Sequence, residues 1–305
     1  MEAGLDPALA EIITEVWHPR RLVAAPIPGG ITNRNYRVDV EAGSFVVRLP
    51  GKDTDLLGIS REAERVAAEG AARAGVGPEV ERFLADRGCL ITRFIEGEPI
   101  PEERMREPEM LSLVVEAIRR LHGGMGEVPS TFVPFRVVEA YRQTAIEHGV
   151  TIPREYEPLH DRALEIEAAF SLHPMPIAPC HNDLLNANFL LENGRVRIVD
   201  YEYAGMGDPF FDLANFSVNN LLDDGAQREL IRLYFGGVTS ARSARLQLMR
   251  IMSDFREAMW GVVQQGISTL DVDYVGYASK HFARCLAFTG DDHTGWLREA
   301  AEEPA

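Results

Sequence analysis

The sequence predicts an α+β chain in two lobes. Residues 1–95 read as a small antiparallel sheet with one helix, and residues 96–305 as a larger, mainly helical lobe. Three observations predict this. Hydrophobic residues alternate with period two early in the chain, at Tyr36, Val38 and Val40. Later they recur at helical spacing, as in Leu111, Val114, Val115, Ile118 and Leu121. The helical part is interrupted once, by two short strand-like runs around Asn193-Gly194. A length of 305 residues is generous for one core and accommodates two.

In chain order, Pro28-Gly29-Gly30-Ile31-Thr32-Asn33-Arg34-Asn35 comes first. Its glycines and small polar residues let backbone N–H groups approach phosphate oxygens, although a Gly-Gly turn between strands explains the same residues. The strand containing Tyr36 turns at Glu41-Ala42-Gly43 into a second one at 45–49. Arg48 lies on that strand, where its planar fork suits phosphate; an exposed strand arginine is the plain alternative.

A helix follows over 61–74, with Ser60 as N-cap and Gly75 as stop. Glu64 flanks its apolar stripe and is placed to reach Arg48, while Glu62 should face solvent. Strands at Val80–Leu84 and 89–94 complete the sheet, and Arg93-Phe94-Ile95-Glu96-Gly97 leads out of it. His122 ends the helix of Leu111 to Leu121 and reads as a partner for that helix's C-terminal dipole.

The densest chemistry lies in His181-Asn182-Asp183-Leu184-Leu185-Asn186-Ala187-Asn188, followed by Asp200. H-x-D-x-x-x-x-N with a downstream Asp is the spacing of a phosphoryl-transfer catalytic loop. The runs Phe189–Glu192 and 195–199 flank Asn193-Gly194. A two-residue turn would set Glu192 opposite Arg195, and hence Asn188 opposite Val199 and Ala187 opposite Asp200. Opposed residues lie roughly 5 Å apart, so Asn188 and Asp200 become neighbours at the open end. Ideal strands would point their side chains to opposite faces, so the backbone must leave strand geometry there.

Two hard oxygen ligands suit Mg²⁺. Asp183 would lie nearer the acceptor, placed to take its hydroxyl proton. Asp212 should brace the loop from a helix start, as an N-cap. Trp260 falls within 255–266, and Tyr274, Tyr277 and Phe282 follow; such aromatics are core residues or the walls of a cation pocket.

Composition limits the rest. A hydrophobic content of 46% is ordinary for a globular protein. A net charge of −16 argues against nucleic acid as a partner. Residues 1–10 lack a basic, apolar signal, and no run approaches the ~20 apolar residues of a membrane span. Three scattered cysteines, Cys89, Cys180 and Cys285, form no zinc or disulfide pattern, which favours the cytoplasm. A homodimer is allowed but not specified.

From Gly29 to about Phe288 the chain resembles the choline/ethanolamine kinase family, within the aminoglycoside phosphotransferase-like branch of the protein-kinase-like fold. The resemblance rests on Gly29-Gly30-Ile31-Thr32-Asn33, on Arg48, on Asp200-Tyr201-Glu202-Tyr203-Ala204 and on Trp260-Gly261-Val262-Val263-Gln264-Gln265. It implies an ATP- and Mg²⁺-dependent kinase acting on an amino alcohol, most simply choline or ethanolamine. Asp183 would be the base, with Asn188 and Asp200 holding the metal. Gly30, Thr32, Asn33, Arg48 and Glu64 would serve the ATP phosphates, and Arg93, Phe94 and Ile95 the adenine. Glu202, Tyr203, Trp260 and Glu257 would meet the acceptor, with His181 and Asp212 supporting the loop.

The chain departs from eukaryotic choline kinases in three places. Glu257 stands where they carry a second Trp, Leu185 where they carry a Gln, and Asn219 near a position where they carry a Glu. A carboxylate at 257 suits a primary amine. Aminoglycoside and thiamine kinases share the loop and the metal Asp; a non-catalytic nucleotide-binding relative is disfavoured by intact Asp183, Asn188 and Asp200.

Overall fold

A computed structural model describes residues 5–28, 32–288 and 292–303. The chain opens with α1 (Pro7–Trp17), to which the sequence pattern assigned nothing. Asp6 caps it by accepting from Ala8 N–H, and Leu9, Ile12 and Ile13 bury one side. Next come β1 (Val23–Ile27), β2 (Arg34–Val40) and β3 (Gly43–Leu49), then α2 (Arg61–Arg73) and β4 (Val80–Leu84) with β5 (Cys89–Arg93). The five strands pair antiparallel in the order β1-β2-β3-β5-β4.

Period two divides β5 between two cores. Cys89 and Ile91 join Val38, Phe45 and Val47 under α1, whereas Leu90 faces the larger apolar cluster that includes Ala63, Ala67 and Ala71 of α2. Ser60 caps α2 by accepting from Ala63 N–H.

The remainder is mainly helical. It runs through β6 (Glu98–Pro99), α3 (Pro108–Gly124), α4 (Pro134–Glu147), α5 (Tyr156–Leu172) and β7 (Ala178–Cys180). The hairpin β8 (Phe189–Glu192) and β9 (Arg195–Ile198) precedes β10 (Gly205–Gly207), α6 (Pro209–Asn219) and α7 (Asp224–Phe235). The 28-residue α8 (Ser240–Ile267) follows, then α9 (Tyr274–Phe288) and α10 (His293–Ala300). α8 is buried on nearly all sides by α4, α6, α9 and α10, yet it carries Arg245, Arg250, Asp254, Arg256 and Glu257. Charges in so enclosed a helix need partners, and one group of them lies in the site.

The turn between α2 and β4 is stitched to β9. Val76 O accepts from Ile198 N–H at 3.1 Å and from Arg197 Nε at 3.0 Å, and Gly77 O accepts from Arg197 Nη2. A Cβ at Gly77 would sit 2.9 Å from Ala71 Cβ and 3.1 Å from Tyr201 Oη, so the turn packs too closely for a side chain without a shift. All three cysteines are free and buried. No helix among the described residues is long and apolar enough to cross a membrane.

Candidate active site

Asn193 and Gly194 both adopt left-handed backbone, with φ of 51° and 74°, which closes β8 and β9 through a two-residue turn. Glu192 pairs with Arg195 and Phe189 with Ile198; Val199 N–H then donates to Asn188 O at 3.0 Å, extending the ladder by one pair. The conflict over side-chain faces is resolved at both ends. Asn188 closes a short 3₁₀ turn (Asn186–Asn188), and Asp200 takes a φ of 72°. A non-glycine residue in that region costs on the order of 1–3 kcal/mol, which the surrounding bonds must offset.

The loop before the hairpin hangs from α6. Asp212 accepts His181 N–H at 2.7 Å, Asn182 N–H at 2.6 Å and His122 Nε2 at 2.8 Å. It lies in the first turn of α6 but is not the N-cap; Asp208 holds that place, accepting from Phe210 N–H at 2.9 Å. His122 lies in the last turn of α3, as expected, and it also has specific partners. Its second nitrogen meets Tyr234 Oη at 2.6 Å, so the side chain bridges α7 to the loop anchor. Burial works against the Asp212 charge, but His122 and the two N–H donors hold its carboxyl below the usual carboxylate range. Asn215 Oδ1 accepts Leu184 N–H at 2.5 Å, and its amide donates to Ser253 at 3.1 Å. His181 accepts Asp183 N–H on Nδ1 at 3.2 Å, so the ring proton belongs on Nε2, which faces Val199 O at 3.0 Å. Burial lowers its pKa and keeps it neutral.

Asp183 is buried, and burial raises its carboxyl above the ordinary carboxylate range, while the charge of Arg256 beside it opposes the rise and favours the ionised form. Asn188 Nδ2 donates to Asp183 O at 2.8 Å, which turns its Oδ1 away as a free acceptor. Arg48 takes Asp200 Oδ1 at 2.6 Å, and the Asp200 side chain is 31% exposed. An amide oxygen and a part-exposed carboxylate are hard donors of the kind Mg²⁺ takes.

On the β3 side, Arg48 is buried and forks between Glu64 and Asp200, with Glu202 at 3.1 Å. Burial disfavours its charge, but the three carboxylates more than compensate. Arg61, which sequence reasoning missed, donates to Glu64 at 2.7 Å and to Asn33 Oδ1 at 2.9 Å. Its signal was the i,i+3 spacing to Glu64 at the start of α2. Asn33 in turn donates to Glu202 at 2.8 Å. Glu202 therefore contacts Asn33 and Arg48, two residues expected at the nucleotide, although the resemblance groups it with the acceptor. Glu62 is exposed and paired with Arg65. Thr32 is half-buried beside Gly51, whose Cβ would lie 2.0 Å from Thr32 O. Gly30 lies outside the described residues. Arg93 N–H and Phe94 N–H donate to Glu79 O and Ser44 O, so only Ile95 of that trio keeps its N–H off the sheet.

On the α8 side, Trp260 Nε1 donates to Tyr203 Oη at 3.0 Å, and the indole meets Tyr274 and Tyr277 edge-on at 6.0 and 5.4 Å. Phe282 is elsewhere, against Phe255. The Glu257 carboxylate is not open: Arg256 engages one oxygen and Tyr277 Oη donates to the other at 2.7 Å. Burial opposes its charge, yet Arg256 holds its pKa below the usual range. Arg256 was absent from the sequence expectations. It is 1% exposed, its Nη1 lies 3.3 Å from Asp183 Oδ1, and its guanidinium covers the Tyr203 ring at 4.3 Å.

A profile of the phosphotransferase enzyme family (APH) matches residues 23–246. Protein LicA of Haemophilus influenzae is 29% identical over 247 residues, covering 77% of this chain and 70% of that protein. Ethanolamine kinase 2 of Mus musculus is 25% identical over 308 residues, covering 90% and 79%. A solved choline/ethanolamine kinase family protein from Mesorhizobium loti superposes with a TM-score of 0.82 at 32% identity, covering 96% of this chain and 98% of that one. Geometry and likeness agree: the chain belongs to the phosphotransferase enzyme family, in its choline/ethanolamine kinase branch.

Proposed function

We propose that the chain transfers the γ-phosphoryl group of ATP, with Mg²⁺, to the hydroxyl of a small amino alcohol of the choline and ethanolamine class. The observation that carries this is the meeting of Asp183, Asn188 and Asp200 at the mouth of one hairpin, with the Arg48 fork beside them. Residues 1–95 cover the nucleotide in this reading, and 96–305 supply the loop and the acceptor pocket.

Asp183 orients the acceptor hydroxyl and takes its proton as the oxygen attacks the γ-phosphorus and ADP departs. Arg48 offers a planar pair of donors to phosphate oxygens and is kept in place by Glu64. Asn188 and Asp200 would hold Mg²⁺, which neutralises charge developing on the phosphoryl oxygens. Asp212 and Asn215 keep the loop's N–H groups satisfied, so Asp183 is set before substrate arrives.

The test is coupled ADP release over choline, ethanolamine, thiamine and aminoglycosides. Turnover with an amino alcohol is expected. Turnover confined to thiamine or an aminoglycoside would transfer the chain to that acceptor class, and ATP binding without ADP release would make it a nucleotide-binding module.

A further inference from the structure

The aromatic ring that the family resemblance offers to a substrate cation already carries one of the protein's own. Arg256 reaches in from α8 and lays its guanidinium 4.3 Å from the centroid of Tyr203. Its Nη1 meets Glu257 and lies 3.3 Å from Asp183 Oδ1. Nε and Nη2 have no hydrogen-bond partner among the described residues, so the ring face is what that side of the guanidinium rests on. The other edge of the pocket is also committed. Trp260 is bonded to Tyr203 Oη, and Glu257 is shared between Arg256 and Tyr277.

Two acceptor heads meet this arrangement differently. A trimethylammonium has no N–H group and is recognised through aromatic faces. One face occupied by a fixed cation removes a wall of that cage, whereas the repulsion between like charges falls on either head alike. A primary ammonium carries three N–H donors, and hydrogen-bond acceptors serve it better than rings do. The site offers them: Asp183, whose Oδ1 lies at 3.3 Å from Arg256 Nη1, and the hydroxyl oxygens of Tyr203 and Tyr277 beside Trp260 and Glu257.

We infer that Arg256 is a specificity-determining residue, whose guanidinium on the Tyr203 ring bars a quaternary ammonium head and selects primary amino alcohols. The inference rests on the amino-alcohol kinase reading above and narrows its acceptor.

The experiment measures kcat/KM for ethanolamine and for choline in the wild-type chain, Arg256→Met and Arg256→Lys. Ethanolamine should lead by roughly tenfold or more in the wild type, the scale at which a pocket rejects a head it cannot bond. Arg256→Met keeps length and removes charge; the ratio should close to within about threefold, through a lower KM for choline. Arg256→Lys keeps the cation and should keep the preference. A mere loss of packing would lower both substrates together and leave the ratio unmoved, which overturns the inference, as does a wild-type chain that favours choline. If Arg256→Met fails to fold, competition in the wild type decides. Tetramethylammonium should not inhibit ethanolamine turnover, and competitive inhibition would overturn the inference. Release of ADP with neither acceptor would instead overturn the underlying function, and this inference with it.

Discussion

On the β3 side of Asp200, two guanidinium groups, Arg48 and Arg61, interlock with Glu64, Glu202 and Asp200. On the α8 side a single guanidinium, Arg256, stands between Asp183 and Glu257 and leans on an aromatic ring. The first arrangement brings a fork and its clamp from β3 and α2, with carboxylates from beyond the hairpin. The second is drawn from α8 and the catalytic loop, with Tyr203 from beyond the hairpin and Tyr277 from α9. In the proposed reaction the phosphate chain is constant, so a flank that serves it can be built rigidly from many elements, whereas the acceptor varies and is better met by few residues that can change together.

The difference can be broken or sharpened by substitution. Asp183→Asn belongs to both flanks and should have the largest effect, lowering kcat by about a thousandfold in a coupled assay while ATP binding, read by calorimetry, survives. Near-normal turnover would remove Asp183 from the chemistry. Asp212→Asn removes the charge on which the whole loop hangs. Charged hydrogen bonds contribute about 1.5–3 kcal/mol each, so urea unfolding should show a loss of about 3 kcal/mol. A loss under about 0.5 kcal/mol would mean that the loop is held elsewhere. Arg48→Lys should raise the KM for ATP about tenfold, because an ammonium cannot fork between Glu64 and a phosphate. An unchanged KM would place the phosphates away from β3.

Acid should weaken the shared loop. Burial holds His181 below its ordinary pKa of 6.5. Below that value the unfolded chain takes up a proton that the folded chain refuses. The stability tied to neutral His181 is thus complete above 6.5 and is lost as pH falls through the folded value. Melting curves should show a decline on the order of 1 kcal/mol between about pH 7 and pH 5, and His181→Gln should flatten it. Glu62→Gln, on the exposed side of α2, should change stability and activity least, within about 0.5 kcal/mol.

What could be read in advance was what spacing alone determines. A period of two and an Asn-Gly turn place Asn188 beside Asp200, because the sum of paired positions is constant in a hairpin. The cap at Ser60 and the apolar stripe of α2 place Glu64 inward, toward Arg48. Arg256 was not legible: its partner Asp183 is 73 residues away, and no local rule says which side of a wholly buried helix meets a loop. The resemblance groups Glu202 with Tyr203 at the acceptor. After the left-handed residue Asp200 the chain turns, and neighbouring side chains diverge, one toward Arg48 and the other toward α8. His122 does stand at the end of α3, but its partners, Asp212 and Tyr234, were not legible because they come from helices much later in the chain.

The three hydrogen bonds from Arg197 and Ile198 to the Val76–Gly77 turn act as a linkage in the mechanical sense. They fasten the far end of α2 to the strand that leads to Asp200, while Arg48 ties the near end, through Glu64, to the Asp200 carboxylate. Held at two points, α2 cannot pivot without dragging β9 along. Any opening of this chain that frees nucleotide must carry helix and hairpin as one piece, with the bending displaced to other connections.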